Sequence, residues 1–310
     1  MTTSPPTADA HLNEIVERQN GERGQRLLRA RQQTYARATR LQITELVGVV
    51  LVPTVGAIVG LIYPELRAFI AAMSLLILAV DILVLDRWMR KLLKLSAQIS
   101  EVFDCEVLQL PWNEFVAGTQ PQAEDIHHAA SRYPTDEKSA SAIRDWYPVA
   151  VRRAPIRIAR LACQRTNLWY DAKLRGRYSH LLVGIPVLVV LAAIVGGSYA
   201  NLDFTGIVLT LLTPAAPVVV WSLRERNRQK DAADAQAATS ASADALLAQV
   251  KADGCTEEEC ARRSREFQDA IFARRATNPL IFPLIYKLYR SQTEDEMNVG
   301  ADERLKALGY

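Results

Sequence analysis

Residues with chemical capacity concentrate in two stretches of this chain. The first is FDCEVLQLPWNEF (103–115), where Cys105 stands between Asp104 and Glu106 and is followed by Trp112, Asn113 and Glu114. A nucleophilic thiol needs a lowered pKa, and flanking carboxylates raise it instead. Glu114 has acid–base capacity but no catalytic partner nearby. A structural role is favoured here, with Trp112 anchoring a turn, and no catalytic residue is assigned. The second stretch is RIARLACQRTNLWYDAKLRGRY (157–178), which carries Arg157, Arg160, Gln164, Arg165, Asn167, Trp169, Tyr170 and Lys173. Guanidinium and ammonium groups bind phosphate, aromatic rings stack on bases, and amides read base edges. On a helix, Arg157, Arg160, Gln164 and Asp171 share a face. A second reading of the same residues stays open: a juxtamembrane basic helix whose arginines lie at lipid phosphates.

Other chemistries lack their residues. The histidines are His11, His127, His128 and His180, and an adjacent pair points two ways on a helix. Cys255 and Cys260 have neither a nearby histidine nor a second cysteine pair, so no metal site is expected. The chain contains no phosphate-binding loop, nucleophile elbow or HExxH motif. No cofactor is expected, and no DNA or RNA binding.

The elements that must position these stretches are set by hydropathy. Segments 181–200 and 204–223 carry no charged residue at all, and 43–63 and 69–85 carry only Glu45 and Asp81. About 20 apolar residues cross a ~30 Å hydrocarbon core as a helix. Very short turns at Pro64-Glu65 and at 201–203 join each pair into a hairpin. The basic residues give the orientation. Arg23, Arg26, Arg29, Arg31, Arg37 and Arg40 precede the first crossing, and Arg87, Arg90, Lys91 and Lys94 follow the second. Lys173, Arg175 and Arg177 precede the third, and Arg224, Arg226, Arg228 and Lys230 follow the fourth, whereas the tips offer only Arg67. The positive-inside rule then places both termini and the 89–179 segment in the cytosol. The net charge of +3 is accounted for by the lipid bilayer.

The expected fold class is mainly α: an integral membrane protein with four transmembrane helices in two hairpins and an α-rich cytosolic domain containing at most a short strand. The expected organisation is a disordered start (1–20), a basic helix (21–41), hairpin 1 (42–88), a cytosolic sensing segment (89–179), hairpin 2 (180–223) and a helical C-terminal region (224–310). Within the sensing segment a helix is expected over 87–103, then CEVLQL as a short strand stopped by Pro111. A polar helix is expected near PQAEDIHHAASRYP, an aromatic turn at DWYP, and a long helix starting at Pro155. Thr256 followed by Glu259 forms a capping box. Segment 277–289 is too short and interrupted to span a membrane, and reads as a packing or interfacial segment.

Four passages in order, VFDCEVLQLPWNEF, DWYP, ARLACQRTNLWYDAKLRGRY and NPLIFPLIYK, with EMN near the end, surround these two hairpins. In this arrangement the chain resembles the SMODS-associated four-transmembrane effector family of bacteria, across about residues 12–305. The resemblance implies a membrane effector of cyclic-oligonucleotide anti-phage (CBASS-type) systems, in the bacterial inner membrane. Such an effector senses a cyclic oligonucleotide and disrupts the membrane to arrest or kill the infected cell. Trp112, Asn113 and Glu114 are then expected on the wall opposite 157–178. Four helices enclose no wide pore, so a homo-oligomer is expected. A membrane-anchored scaffold that recruits a partner without permeabilising the membrane is the alternative. Glu45 and Asp81 are the intramembrane ionisable residues, a type that is functional by default. The two readings for them are a pore lining or closed-state contact, and pairing with Arg40, Arg87 or Arg90.

Overall fold

The computed structural model describes residues 12–251 and 256–310. Most of the expected disordered start lies outside them, but Ile15–Asn20 form helix α1 with Ile15 fully buried. Asn13 holds it in place. Its amide donates to the Val151 and Ala154 carbonyls at 2.7 and 2.8 Å, and its oxygen accepts from the Ile15 N–H.

Four long helices follow the hydropathy: α2 (Glu22–Gly60), α3 (Pro64–Leu108), and, after three short helices, α7 (Ile156–Tyr199) and α8 (Phe204–Lys251). They contain 39, 45, 44 and 48 residues. At about 1.5 Å per residue each is roughly twice the length needed to cross a bilayer. Each therefore continues well beyond the membrane, and the four extensions gather into one helical domain. The apolar windows are only 6–17% buried within the chain. A water-soluble protein would not leave such surface uncovered. Among the described residues the chain is helical without strands.

Both hairpins turn tightly. A Cβ at Gly197 would lie 2.3 Å from the Ile207 side chain, and one at Gly56 would lie 2.7 Å from Ile70, so glycine permits the approach. At the second tip the Asp203 carboxylate caps the start of α8 by accepting from the Gly206 N–H. Pro53 and Pro214 each follow a π-helical turn, at Val47–Leu51 and Val208–Leu212. The wider turn lies where a proline ring would otherwise meet the carbonyl one turn back.

The first four residues of the expected strand CEVLQL are instead the last turn of α3. Helix α3 runs through Leu108 and ends at Gln109, which adopts a left-handed φ of 54°. Residues 101–108 have no breaker before them. The helical period puts Glu101, Asp104, Cys105 and Leu108 on the inner face and turns Glu106 out to Arg23 at 3.0 Å. The short helices α4 (Glu114–Ala117), α5 (Ala123–Ala130) and α6 (Glu137–Ser141) wrap around this core. Trp112 does anchor a turn, donating to the Gly118 carbonyl at 2.8 Å. The fourth long helix continues past the membrane as expected. Thr256 caps α9 (Glu257–Thr277), accepting from the Glu259 N–H at 3.2 Å. Helix α10 (Pro283–Ala307) packs back across α7.

Candidate ligand-binding site

The domain is built around buried charge. Glu101 and Asp104, side by side on α3, are 0% and 1% exposed. Three side chains from two elements converge on Asp104: from the 145–148 turn Tyr147 donates its hydroxyl at 2.6 Å, and from α9 Gln268 donates its amide at 2.8 Å and Arg275 forms an ion pair. Arg265 pairs with Glu101 and also donates to the Pro111 carbonyl. Burial raises the pKa of Glu101, and Arg265 opposes that rise. This network clamps α3, α9 and the 145–148 turn into a rigid body.

On one flank of it lies a cavity of about 230 Å³ that gathers separated parts of the sequence. Trp146 and Tyr147 come from the DWYP turn, Asn167 and Tyr170 from α7, and Tyr286, Arg290, Met297 and Asn298 from α10. Its aromatic rings and amides share the space with two guanidiniums, Arg290 from α10 and Arg144 just before the turn, and with the carboxylates of Asp145 and Glu294, the latter paired with Arg290 at 2.7 Å. The DWYP turn is aimed by Asp145, whose left-handed φ of 47° is held by a reciprocal pair of hydrogen bonds with Asn20, at 2.7 and 3.1 Å. The Nδ2 of Asn167 is shut off from solvent and has no partner in the chain. An unsatisfied buried donor costs about 1–3 kcal/mol. A ligand acceptor in the cavity would recover it. A second cavity, of about 440 Å³, shares Arg144 and Asp145 with the first and adds Arg29, Gln25 and Tyr133.

The residues singled out from the sequence divide between this cavity and the framework. Asn167 and Tyr170 line the cavity. Arg160 caps the end of α3, donating to the Leu108 and Gln109 carbonyls at 2.7 and 3.0 Å. Gln164 is fully buried against Ser264 and Gln268. Arg165 is committed to Asp244 on α8 at 3.0 Å, a carboxylate shared with Arg304. Trp169 stacks beneath Arg165 and Lys173, and Lys173 reaches Glu296 at 3.9 Å. Arg157 sits on the first turn of α7 and does not line the cavity. Trp112, Asn113 and Glu114 are not its opposite wall. Asn113 donates to Asp269 of α9 at 2.8 Å, and Trp112 packs on Ala97, Ala117 and Phe272. They lie outside because α3 runs one and a half turns further than expected and carries them past the site. The actual opposite wall is the DWYP turn and Tyr286, Arg290 and Asn298. The sequence marked these stretches as motifs but gave no indication that they meet.

Residues 13–304 match the family described as the SMODS-associating 4TM effector domain. The chain belongs to this family. It is also similar to a probable CBASS effector molecule of Bacillus cereus (strain VD146), at 24% identity over 215 residues, 68% of each chain. No solved structure matches it.

For a four-transmembrane effector, two membrane-embedded carboxylates stand out. Asp81 opens the π-helical turn Asp81–Leu85 of α3 and is 8% exposed, with Oδ1 unpartnered. Glu45 lies near the end of its crossing closest to the helical domain, and neither makes an ion pair with Arg40, Arg87 or Arg90; Arg90 is taken by Asp86. Elsewhere in this effector, among the described residues, no cluster of three or more His, Cys, Asp or Glu is placed to hold a metal. Cys105 and Cys163 are buried thiols, and Cys255 lies outside the described residues. Burial, reinforced by Glu101, pushes the Cys105 thiol up to about 12. Burial also raises Cys163 well above its ordinary value. Neither thiol should therefore react with a maleimide in the native protein at pH 7.5, and both should react once denaturant is added. Native labelling at Cys105, mapped by peptide mass spectrometry, would contradict this arrangement.

Proposed function

We propose that this effector acts in bacterial anti-phage defence by sensing a cyclic oligonucleotide in the DWYP–α7–α10 cavity and disrupting the inner membrane in response. Membership of the effector family and the similarity to a probable CBASS effector molecule support the defence role. The observation that carries the sensing step is convergence: Trp146, Asn167, Tyr170, Tyr286 and Arg290 meet in one cavity although they are up to 144 residues apart. The first cavity is smaller than a whole cyclic nucleotide. It would take one base, between the aromatic rings and against the open Asn167 donor. The phosphates would lie toward Arg144, beside the second cavity and Arg29.

Coupling to the membrane follows from continuity. Helix α7 carries Asn167 and Tyr170 and runs without interruption into the third crossing. A ligand that shifts α7 relative to α10 therefore moves a transmembrane helix. The basic residues at the ends of all four crossings next to the helical domain support a cytosolic sensing domain and cytosolic termini, on the side where such a messenger would be made. Several copies together would form the lesion. Binding is tested by equilibrium dialysis of the detergent-solubilised full chain against a panel of cyclic di- and trinucleotides. Saturable binding of one of them supports the reading. Binding of none, with the protein shown to be folded, overturns it.

Asp81 belongs to the response rather than to the sensor. A buried carboxylate with an unpartnered oxygen inside a π-turn is a contact that a rearrangement can make or break. Asp81→Asn should change nucleotide-triggered dye release from liposomes at least threefold while leaving nucleotide affinity unaltered. Release equal to wild type would show that Asp81 is only structural.

A further inference from the structure

A third cavity, separate from the nucleotide site, lies where both hairpins leave the membrane. It measures about 650 Å³ and is roofed by the crossing between α9 and α10 at 278–282. Its apolar lining comes from Leu46, Val49, Val50, Leu93, Trp221 and Phe282. Its charged lining is balanced: Glu45, Asp86 and Glu225 against Arg90, Lys94 and Arg228. The surrounding cytosolic ends of the crossings are strongly basic, so this neutrality is local.

Two buried polar atoms on this lining have no partner in the chain, the Oε1 of Gln42 and the Nδ2 of Asn278. The Gln42 amide is fixed by its nitrogen, which donates to the Leu280 carbonyl at 3.2 Å, so its acceptor is left open. Glu225 is 4% exposed and is oriented by Gln229 at 2.7 Å. Gln229 is in turn held by Arg175 at 2.6 Å. Unsatisfied acceptors beside carboxylates call for a cationic donor, and an unsatisfied donor beside Arg228 and Lys94 calls for an anion. Both are needed within one headgroup-sized space, next to an apolar wall at the depth of the inner-leaflet headgroups.

We propose that this cavity is a binding site for one zwitterionic aminophospholipid of the inner leaflet. Its ammonium lies at Gln42 and Glu45, its phosphate at Asn278, Lys94 and Arg228, and its glycerol and upper acyl chains on the Val49–Trp221 side. An anionic phospholipid would satisfy the phosphate side and leave Glu45 and the Gln42 oxygen unpaired, since Asp86 pairs with Arg90 and Glu225 lies 3.7 Å from Arg228. The lipid would join hairpin 1, hairpin 2 and the α9–α10 crossing, the three parts that must move relative to one another for the membrane to open.

The test is native mass spectrometry of the full chain released from detergent micelles containing dioleoylphosphatidylethanolamine or dioleoylphosphatidylglycerol. The wild type should retain one phosphatidylethanolamine with at least tenfold preference over phosphatidylglycerol. Glu45→Gln, which removes a carboxylate that pairs with no side chain of the protein, should reduce that preference to within about twofold. Leu280→Trp, which fills the cavity, should abolish retention of both lipids. Circular dichroism of each variant establishes that it is folded. Equal or tighter binding of phosphatidylglycerol, no retained lipid on the wild type, or an undiminished preference in folded Glu45→Gln would each overturn the proposal.

Discussion

Replacing Asp104 with alanine lowers the melting temperature of the detergent-solubilised protein by about 10 °C, the largest stability effect expected of any single substitution in this chain. The carboxylate is 1% exposed and is the common acceptor for Tyr147, Gln268 and Arg275. Its removal leaves the 12%-exposed Arg275 guanidinium without its counter-charge, strips the Tyr147 hydroxyl of its acceptor and leaves the Gln268 amide only its bond to Glu101. Breaking one partner out of a buried pair costs about 3–5 kcal/mol, because the remaining charge stays desolvated. The loss should be felt in function as well, since Tyr147 belongs both to this network and to the cavity wall. The double variant Asp104→Ala with Arg275→Leu should recover part of the stability, because no isolated charge then remains. A melting temperature within 2 °C of wild type for Asp104→Ala would mean that the network contributes little.

The second large effect is on the ligand. Tyr286→Ala should weaken cyclic-nucleotide binding by about 10–100-fold, the scale of losing one base-stacking platform. Tyr286 lies within the cavity, with the Arg290 guanidinium 5.6 Å from its ring centre. It does not share the Asp104 network, so the melting temperature without ligand should fall far less than for Asp104→Ala. That separation makes the pair informative: one variant loses the framework, the other loses recognition on an intact framework. Trp112→Ala is the contrasting substitution. It removes the turn anchor to Gly118 and should lower stability while leaving the affinity of the folded protein unchanged. Unchanged affinity in Tyr286→Ala would place the base elsewhere.

What the sequence made legible depended on range. The membrane helices, the hairpin turns, the Thr256 cap and the continuation of the fourth helix all rest on local patterns of charge, length and capping. The strand expected at CEVLQL failed because six apolar-rich residues fit either period, and the helix already running through Ile99 and Phe103 decided the matter. The site was harder. Gln164 and Arg165 carry the residue types of a binding site, yet Gln164 is spent on Ser264 and Gln268, and Arg165 on Asp244, 79 residues away. Nothing in the spacing within one helix shows which of its faces meets a partner helix. Asn167 and Tyr170 carry residue types suited to a ligand and line the candidate cavity, but Trp146, Tyr286, Arg290 and Asn298 join them only through tertiary packing.

The most direct test of the account is release of a trapped dye from liposomes that contain the purified full chain, challenged in turn with cyclic di- and trinucleotides. The account predicts release with one nucleotide, at the concentration at which that nucleotide binds, and loss of this response in Tyr286→Ala at the same concentration. Nucleotide binding by inserted protein with no release at any concentration would contradict it, and would mark the protein as a membrane-anchored sensor that acts through a partner.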